Sequence, residues 1–163
     1  MVDNSKPAAI PLSRELEALN LYLDLESLRF ENKFEYNINV AVDVDTENIQ
    51  IPSMLIQPFV ENAIWHGLMH KGSKGKININ INLKDQVLIC VIEDNGIGRK
   101  RSQEILKEKN SEFHKSVGMS ITQERLDIIN QKNNSNLTMK IIDLENSKGE
   151  SIGTRVELIL PFN

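Results

Sequence analysis

Four short segments stand in fixed order along this chain: Asn62-Ala63-Ile64-Trp65-His66-Gly67, Asp94-Asn95-Gly96-Ile97-Gly98, Gly118-Met119-Ser120-Ile121 and Gly153-Thr154. Each sets glycine beside polar or small residues at the expected end of a helix or strand. That placement constrains the fold more than any other feature. Glycine lets the backbone turn sharply and approach another group closely, so the four element ends are expected to meet around one pocket. No single segment supports that reading alone.

The elements between them follow from hydrophobic period. Leu12, Leu16, Leu19, Leu23 and Phe30 recur at helical spacing behind Ser13, an expected N-cap, and Leu21, Leu25 and Leu28 widen the apolar surface. A surface that broad calls for a helical partner, within the chain or from a second copy. Phe34 to Val44 alternates as a half-buried strand. Met54 to Met69 reads as a helix with Pro58 in its first turns, where a missing amide costs least. Lys76–Leu83 and Val87–Ile92 form an expected hairpin around Asp85-Gln86. A short helix near Ser102–Lys109, a helix over Gly118–Gln131, and strands at Leu137–Leu144 and Ile152–Leu160 follow. The expected class is α+β: a two-layer sandwich, its mixed sheet covered by helices on one face.

The chemistry of the four segments is specific. Asn62 offers an amide oxygen to a hard cation and donors to a phosphate. His66 lies four residues on and shares the helix face. Glu61 and Gln57 are candidates for orienting an attacking group, expected on different faces so that both cannot serve equally. Asp94 at a strand end can accept a hydrogen bond from the exocyclic amine of adenine, with Gly96 and Gly98 letting the backbone pass close to a flat ring; Asp-Asn-Gly is also an ordinary turn signal. Gly118 precedes a helix whose free amides suit phosphate oxygens. Arg125 stands either near phosphates or in a structural ion pair. Thr154 can support the contact made by Asp94. Together the segments describe a pocket for ATP with a metal ion.

Other classes are excluded. A chain of 163 residues suits one domain, and a net charge of -4 argues against a dedicated nucleic-acid binder. There is no P-loop, no signature of the Ser/Thr/Tyr protein kinases and no Cys/His cluster with zinc spacing. Cys90 lies inside an apolar run and reads as a buried, inert thiol.

These residues resemble the ATP-binding domain shared by sensor histidine kinases, type II topoisomerases, mismatch-repair ATPases and a heat-shock chaperone family, the GHKL or Bergerat fold. More narrowly, Leu12-Ser13-Arg14-Glu15-Leu16-Glu17, Tyr22 to Phe30, and Gln57-Pro58-x-Val60-Glu61-Asn62-Ala63-x-x-His66-Gly67 are similar to LytS/YehU-like sensor histidine kinases. Gly118-x-x-Ile121-x-x-x-Arg125-Leu126 and Gly153-Thr154-x-Val156 keep the same order. The resemblance covers about residues 12 to 162. It implies Asn62 as the Mg²⁺ ligand, His66 close to the phosphates, Asp94 as the adenine-binding carboxylate, and Gly96 and Gly98 as the floor beneath the base. It implies an ATP lid over Arg99–Val117, with Gly118 and Met119 at its end and Gly153 and Thr154 near the adenine.

It further implies a cytoplasmic catalytic domain of a membrane sensor protein, homodimeric in full length, that takes ATP and Mg²⁺ and signals to a response regulator. Residues 1–11 are then a disordered or added start, 12–31 a remnant of the dimerisation helix, and 32–163 the ATP-binding domain. Two departures stand out. Pro58 occupies the position, four before the metal asparagine, where many relatives carry a polar or acidic residue, which leaves Glu61 or Gln57 as the substitute. The acceptor histidine segment is missing, and His66, His70 and His114 do not match it. The rival readings are a protein-serine kinase of the anti-sigma type and a nucleotide-sensing module that transfers nothing.

Overall fold

The computed structural model describes residues 9–68, 71, 73–108, 123–132 and 136–161. Five strands form one sheet: β2 (Phe34–Val40), β4 (Gly75–Lys84), β5 (Val87–Asp94), β6 (Thr138–Glu145) and β7 (Ser151–Pro161), in the spatial order β2-β4-β5-β7-β6. The β2–β4 pair is parallel and the others antiparallel, so the sheet is mixed as expected. The β4–β5 hairpin turns at Asp85 and Gln86, both with positive φ (49° and 64°), the backbone that matches strand twist in a two-residue loop.

Alternation decides which face is covered. Ile77, Ile79 and Ile81 of β4, Leu88, Cys90 and Ile92 of β5, and Leu158 and Leu160 of β7 point into one core. Helix α1 (Leu12–Arg29) adds Leu12, Leu19 and Leu23; α2 (Gln57–Asn62) adds Phe59 and Val60; the helical residues 123–132 (α4) add Leu126 and Ile129. Helix α1 and the sheet therefore share a single core. On the other face Asn37 pairs with Asn78 and Asn39 with Asn80, at 3.3 and 3.1 Å, with Asn37 and Asn39 exposed and their partners half-buried. This is the one-sided α+β sandwich that the patterning predicts.

Several local expectations are corrected. Ala9–Pro11, expected to lack structure, form strand β1, which pairs antiparallel with β3 (Gln50–Pro52). The N-cap of α1 is Pro11; Ser13 lies inside the helix and makes no cap. The free amides of Leu12 and Ser13 instead donate to the carbonyls of Ile49 and Thr46, both at 2.9 Å, so loop backbone does the capping. Strand β2 ends at Val40 and the expected alternation fails at Val42, which is fully exposed. The helix expected from Met54 begins at Gln57, with Pro58 in its first turn, and widens into a π-helical turn over Ala63–Leu68. Leu21, Leu25 and Leu28 form the outer stripe of α1 and are two-thirds exposed. Among the described residues no helix is long and apolar enough to cross a membrane.

Candidate nucleotide-binding site

Strand β5 delivers Asp94 to the floor of an open pocket. The side walls are apolar: Phe59 and Ala63 from the helical segment, Ile92 from β5, Ile141 from β6 and Val156 from β7. Asn62, Gly67, Gly98, Arg99 and Thr154 complete the lining. Asp94 and Asn62, 32 positions apart in the sequence, thus face one cavity.

Asp94 is 5% exposed. Its carboxyl accepts the N–H of Gly96 at 2.8 Å and also that of Thr154, its cross-strand neighbour on β7. Burial nevertheless dominates and pushes the group from its ordinary 3.8 up to about 7, the two amide donors pulling the other way. A carboxyl set at the end of an apolar slot, with unused lone pairs, suits a flat heterocycle bearing an amine.

The glycines explain how the pocket closes around that carboxyl. A Cβ on Gly67 would stand 2.9 Å from Asp94 Oδ1. A Cβ on Gly96 would stand 2.5–2.7 Å from the Gly67 backbone, and the Ile97 N–H donates to the Gly67 carbonyl at 3.2 Å. A Cβ on Gly153 would run into the Asp94 carbonyl. Three of the four segments therefore interlock at Asp94, and side chains larger than hydrogen would fill the cradle. Gly98 (φ +85°) turns the chain into α3 (Arg99–Glu108), where Arg99 makes a two-pronged pair with Asp143 of β6, both contacts 2.8 Å.

Known proteins share both the sequence and the fold. The chain is 42% identical over 89 residues to the sensor protein LytS of Oceanobacillus iheyensis, covering 55% of this chain and 15% of LytS. It is 30% identical over 126 residues to the sensor histidine kinase BtsS of Escherichia coli, covering 71% of this chain and 22% of BtsS. The chain is a homologue of the LytS/BtsS-type sensor histidine kinases. It spans less than a quarter of the length of these two relatives. No family model matches it. The catalytic domain of histidine kinase ThkA superimposes with a TM-score of 0.57 over 96% of this chain and 95% of that one, at 16% identity, which establishes a common fold. A structure of ThkA in complex with response regulator protein TrrA superimposes similarly, with a TM-score of 0.55 over 96% of this chain and 42% of that one, at 13% identity.

In this LytS/BtsS homologue the expected site residues divide. Asn62, Asp94, Gly98 and Thr154 line the pocket, while Gly96 and Gly153 pack directly against its floor. The backbone of His66 lies in the π-helical turn; local widening of this kind is frequent at functional sites. Gly118, Met119 and the second half of the expected lid lie outside the described residues. Glu61 is not among the lining residues. Its carboxylate accepts from Gln57 Nε2 at 3.1 Å and faces Tyr22 of α1, whose phenol is pushed up by burial first and then by the charges of Glu26 and Glu61. Glu61 and Gln57 thus share a helix face, as four-residue spacing dictates and contrary to expectation. Arg125 is structural: its Nη2 donates to the Ser53 carbonyl. Cys90 is inert, burial pushing its thiol up to about 12.

Sequence reasoning missed Gly67 as a floor residue and Ile141 as a wall. Gly67 was legible as part of its segment, directly after His66. Ile141 carried no local signal, because only sheet register brings β6 opposite β7.

Proposed function

We propose that this chain is the ATP- and Mg²⁺-binding catalytic unit of a two-component sensor histidine kinase. It delivers the γ-phosphoryl group of ATP to a histidine outside this chain, for relay to a response regulator. One observation carries the reading: a buried carboxyl and a metal-competent amide, Asp94 and Asn62, line the same mostly apolar slot.

Asp94 accepts the adenine amine. Phe59, Ile92, Ile141 and Val156 sandwich the base, and Gly67 and Gly96 keep the floor thin enough for it to reach the carboxyl. The Asn62 amide oxygen holds the cation. Among the described residues no group of three or more His, Cys, Asp or Glu could cage a metal. One amide fits Mg²⁺, which is usually held by one or two protein oxygens together with substrate phosphates. His66, Gly118 and Met119 are assigned to the phosphate side. Bound ATP·Mg²⁺ supplies the phosphoryl group and a cation that neutralises its charge. The chain's own contribution is positioning. Glu61, turned toward α1, is not assigned as the base.

The histidine-kinase reading is favoured over a serine kinase by the LytS and BtsS homology. The ThkA–TrrA complex motivates a response regulator as partner. A homodimeric parent protein and a cytoplasmic placement behind a membrane sensor belong to the same proposal.

Asn62→Ala is expected to erase the Mg²⁺ dependence of ATP affinity at a cost of roughly 1–3 kcal/mol, measured by calorimetry with and without the metal. Persisting metal dependence moves the ligand elsewhere. Labelled ATP mixed with a supplied domain bearing the acceptor histidine is expected to yield phosphohistidine. Binding without transfer would favour the nucleotide-sensing module. Amide exchange across residues 99–117 is expected to slow on adding nucleotide, and equal rates count against the lid.

A further inference from the structure

The turn that connects β3 to α2, residues 53–56, is gripped from two sides. On one side is Glu15 of α1, only 1% exposed. Burial pushes the pKa of its carboxyl up, the backbone N–H groups of Leu55, Met54 and Gln57 that it accepts pull the other way, and its Oε2 has no hydrogen-bond partner among the described residues. Amides that converge in this way form an anion nest, and a carboxylate seated there is fixed in position. On the other side is Arg125 of α4, whose Nη2 donates to the carbonyl of Ser53 and whose charge acts on Glu15. Leu126 and Ile129 anchor α4 in the core, so Arg125 is delivered from a rigid element.

The turn itself is strained. Met54 adopts φ +60°, a left-handed conformation that a residue with a long side chain rarely takes. Its side chain is 41% exposed, so packing does not explain the strain. Such a conformation persists only where its surroundings over-determine it. Here those surroundings are a buried carboxyl and a half-buried guanidinium from elements far apart in sequence. The turn runs directly into α2, and Asn62 is the last residue of that short helix.

We propose that Glu15 and Arg125 are positioning residues for Asn62: they clamp the 53–56 turn between α1 and α4 and so set where the Asn62 amide stands in the pocket. The proposal rests on the reading of that pocket as an ATP·Mg²⁺ site. It gives α1 a route to the metal amide, since any displacement of α1 moves Glu15, the turn and α2 together. The clamp acts chiefly on the metal side, because Asp94, Gly96 and Gly153 belong to β5, β7 and the turn after β5, although Phe59 and Gly67 share the helical segment with Asn62.

The test uses the whole chain and two readouts: ATP affinity in Mg²⁺ relative to affinity in excess chelator, and amide exchange at 54, 55 and 57. Glu15→Gln keeps the shape but presents an amide group to backbone donors. It is expected to lower the metal-dependent affinity ratio about tenfold, as a misplaced group does, with a much smaller fall in metal-free affinity and faster exchange at the three amides. Arg125→Lys keeps the charge, loses the planar fork and folds even where Glu15→Gln does not; its expected loss is about threefold. The double variant is expected to be no worse than Glu15→Gln alone, because one clamp is broken once. Ile38→Val, on the edge strand β2, lowers stability without touching the clamp and is expected to keep the parental ratio. A parental ratio in both clamp variants overturns the proposal, and so does an equal fall in metal-bound and metal-free affinity, which marks general loosening. A parent chain that binds no ATP overturns the pocket reading and this proposal with it.

Discussion

Asp94→Asn is expected to weaken ATP binding about a hundredfold while making the nucleotide-free chain more stable above pH 7. The two effects have one cause. Burial holds the Asp94 carboxyl at about 7 against an ordinary 3.8. A carboxyl raised in the folded state binds a proton more tightly there than in the unfolded chain. Its favourable contribution is complete below the ordinary value and is lost as pH rises through about 7. Above that point the charged form costs the fold up to about 4 kcal/mol. Asparagine does not titrate and avoids this cost, but its amide nitrogen donates where the second carboxylate oxygen could accept, a mismatch of about 1–2 kcal/mol against the backbone N–H groups that face the group.

The variant should therefore melt at or below the parent at pH 5 and above it at pH 8, with about 2–4 °C for each kcal/mol. The ligand side has the opposite sign. The adenine amine needs an ionised acceptor, so parental affinity should fall as pH drops below about 7, while the variant shows no such slope. Loss of a charge-assisted contact costs about 3 kcal/mol, the stated hundredfold. Parallel melting curves across this pH range would show that Asp94 is not held protonated by burial. Unchanged affinity by calorimetry would remove it from the site.

The parts of this architecture that could be read beforehand are those whose physics is local. Ile77, Ile79 and Ile81 alternate with asparagines, and the two-residue turn Asp85-Gln86 closes the hairpin, so β4 and β5 needed no tertiary information. Pro58 marks a helix start because its own missing amide is harmless there. The misses share a different origin. Ala9–Pro11 have no alternation, and their partner strand lies some 40 residues away. Ser13 looked like a cap because the competing carbonyls of Thr46 and Ile49 arrive from a loop. Glu15 stands in the sequence only as one residue of the Leu12–Glu17 segment, and only the fold shows that it receives a strained turn from another element. The same division runs through the site: polar motif residues were legible, whereas the apolar wall at Ile141 and the clamp on α2 exist only after the sheet has closed. Chemistry is encoded in short segments, and its positioning is spread over the chain.

That spread makes one glycine far more sensitive than its neighbour in the same hairpin. Gly149 and Gly153 flank the start of β7, and both have positive φ, 76° and 149°. At Gly149 an added Cβ meets nothing within 4 Å. Gly149→Ala therefore bears only the left-handed backbone cost of about 1–2 kcal/mol. At Gly153 the added Cβ collides with the Asp94 carbonyl and comes within 3.0 Å of Asn95 Cα, both backbone atoms of the segment that holds the buried carboxyl. Backbone in mid-sheet cannot swing aside as a side-chain tip can. Gly153→Ala is expected to cost about 3–5 kcal/mol, combining strain with overpacking, and to lower the melting temperature by about 10 °C. It should also abolish nucleotide binding, because relief of the clash moves Asp94 away from Thr154 and out of register with the slot. Thermal melts of the two variants beside the parent, each followed by an ATP titration below the lower transition, separate the two costs. Equal losses at 149 and 153 would mean that backbone angle alone matters and that the close approach of β7 to Asp94 does not shape the pocket.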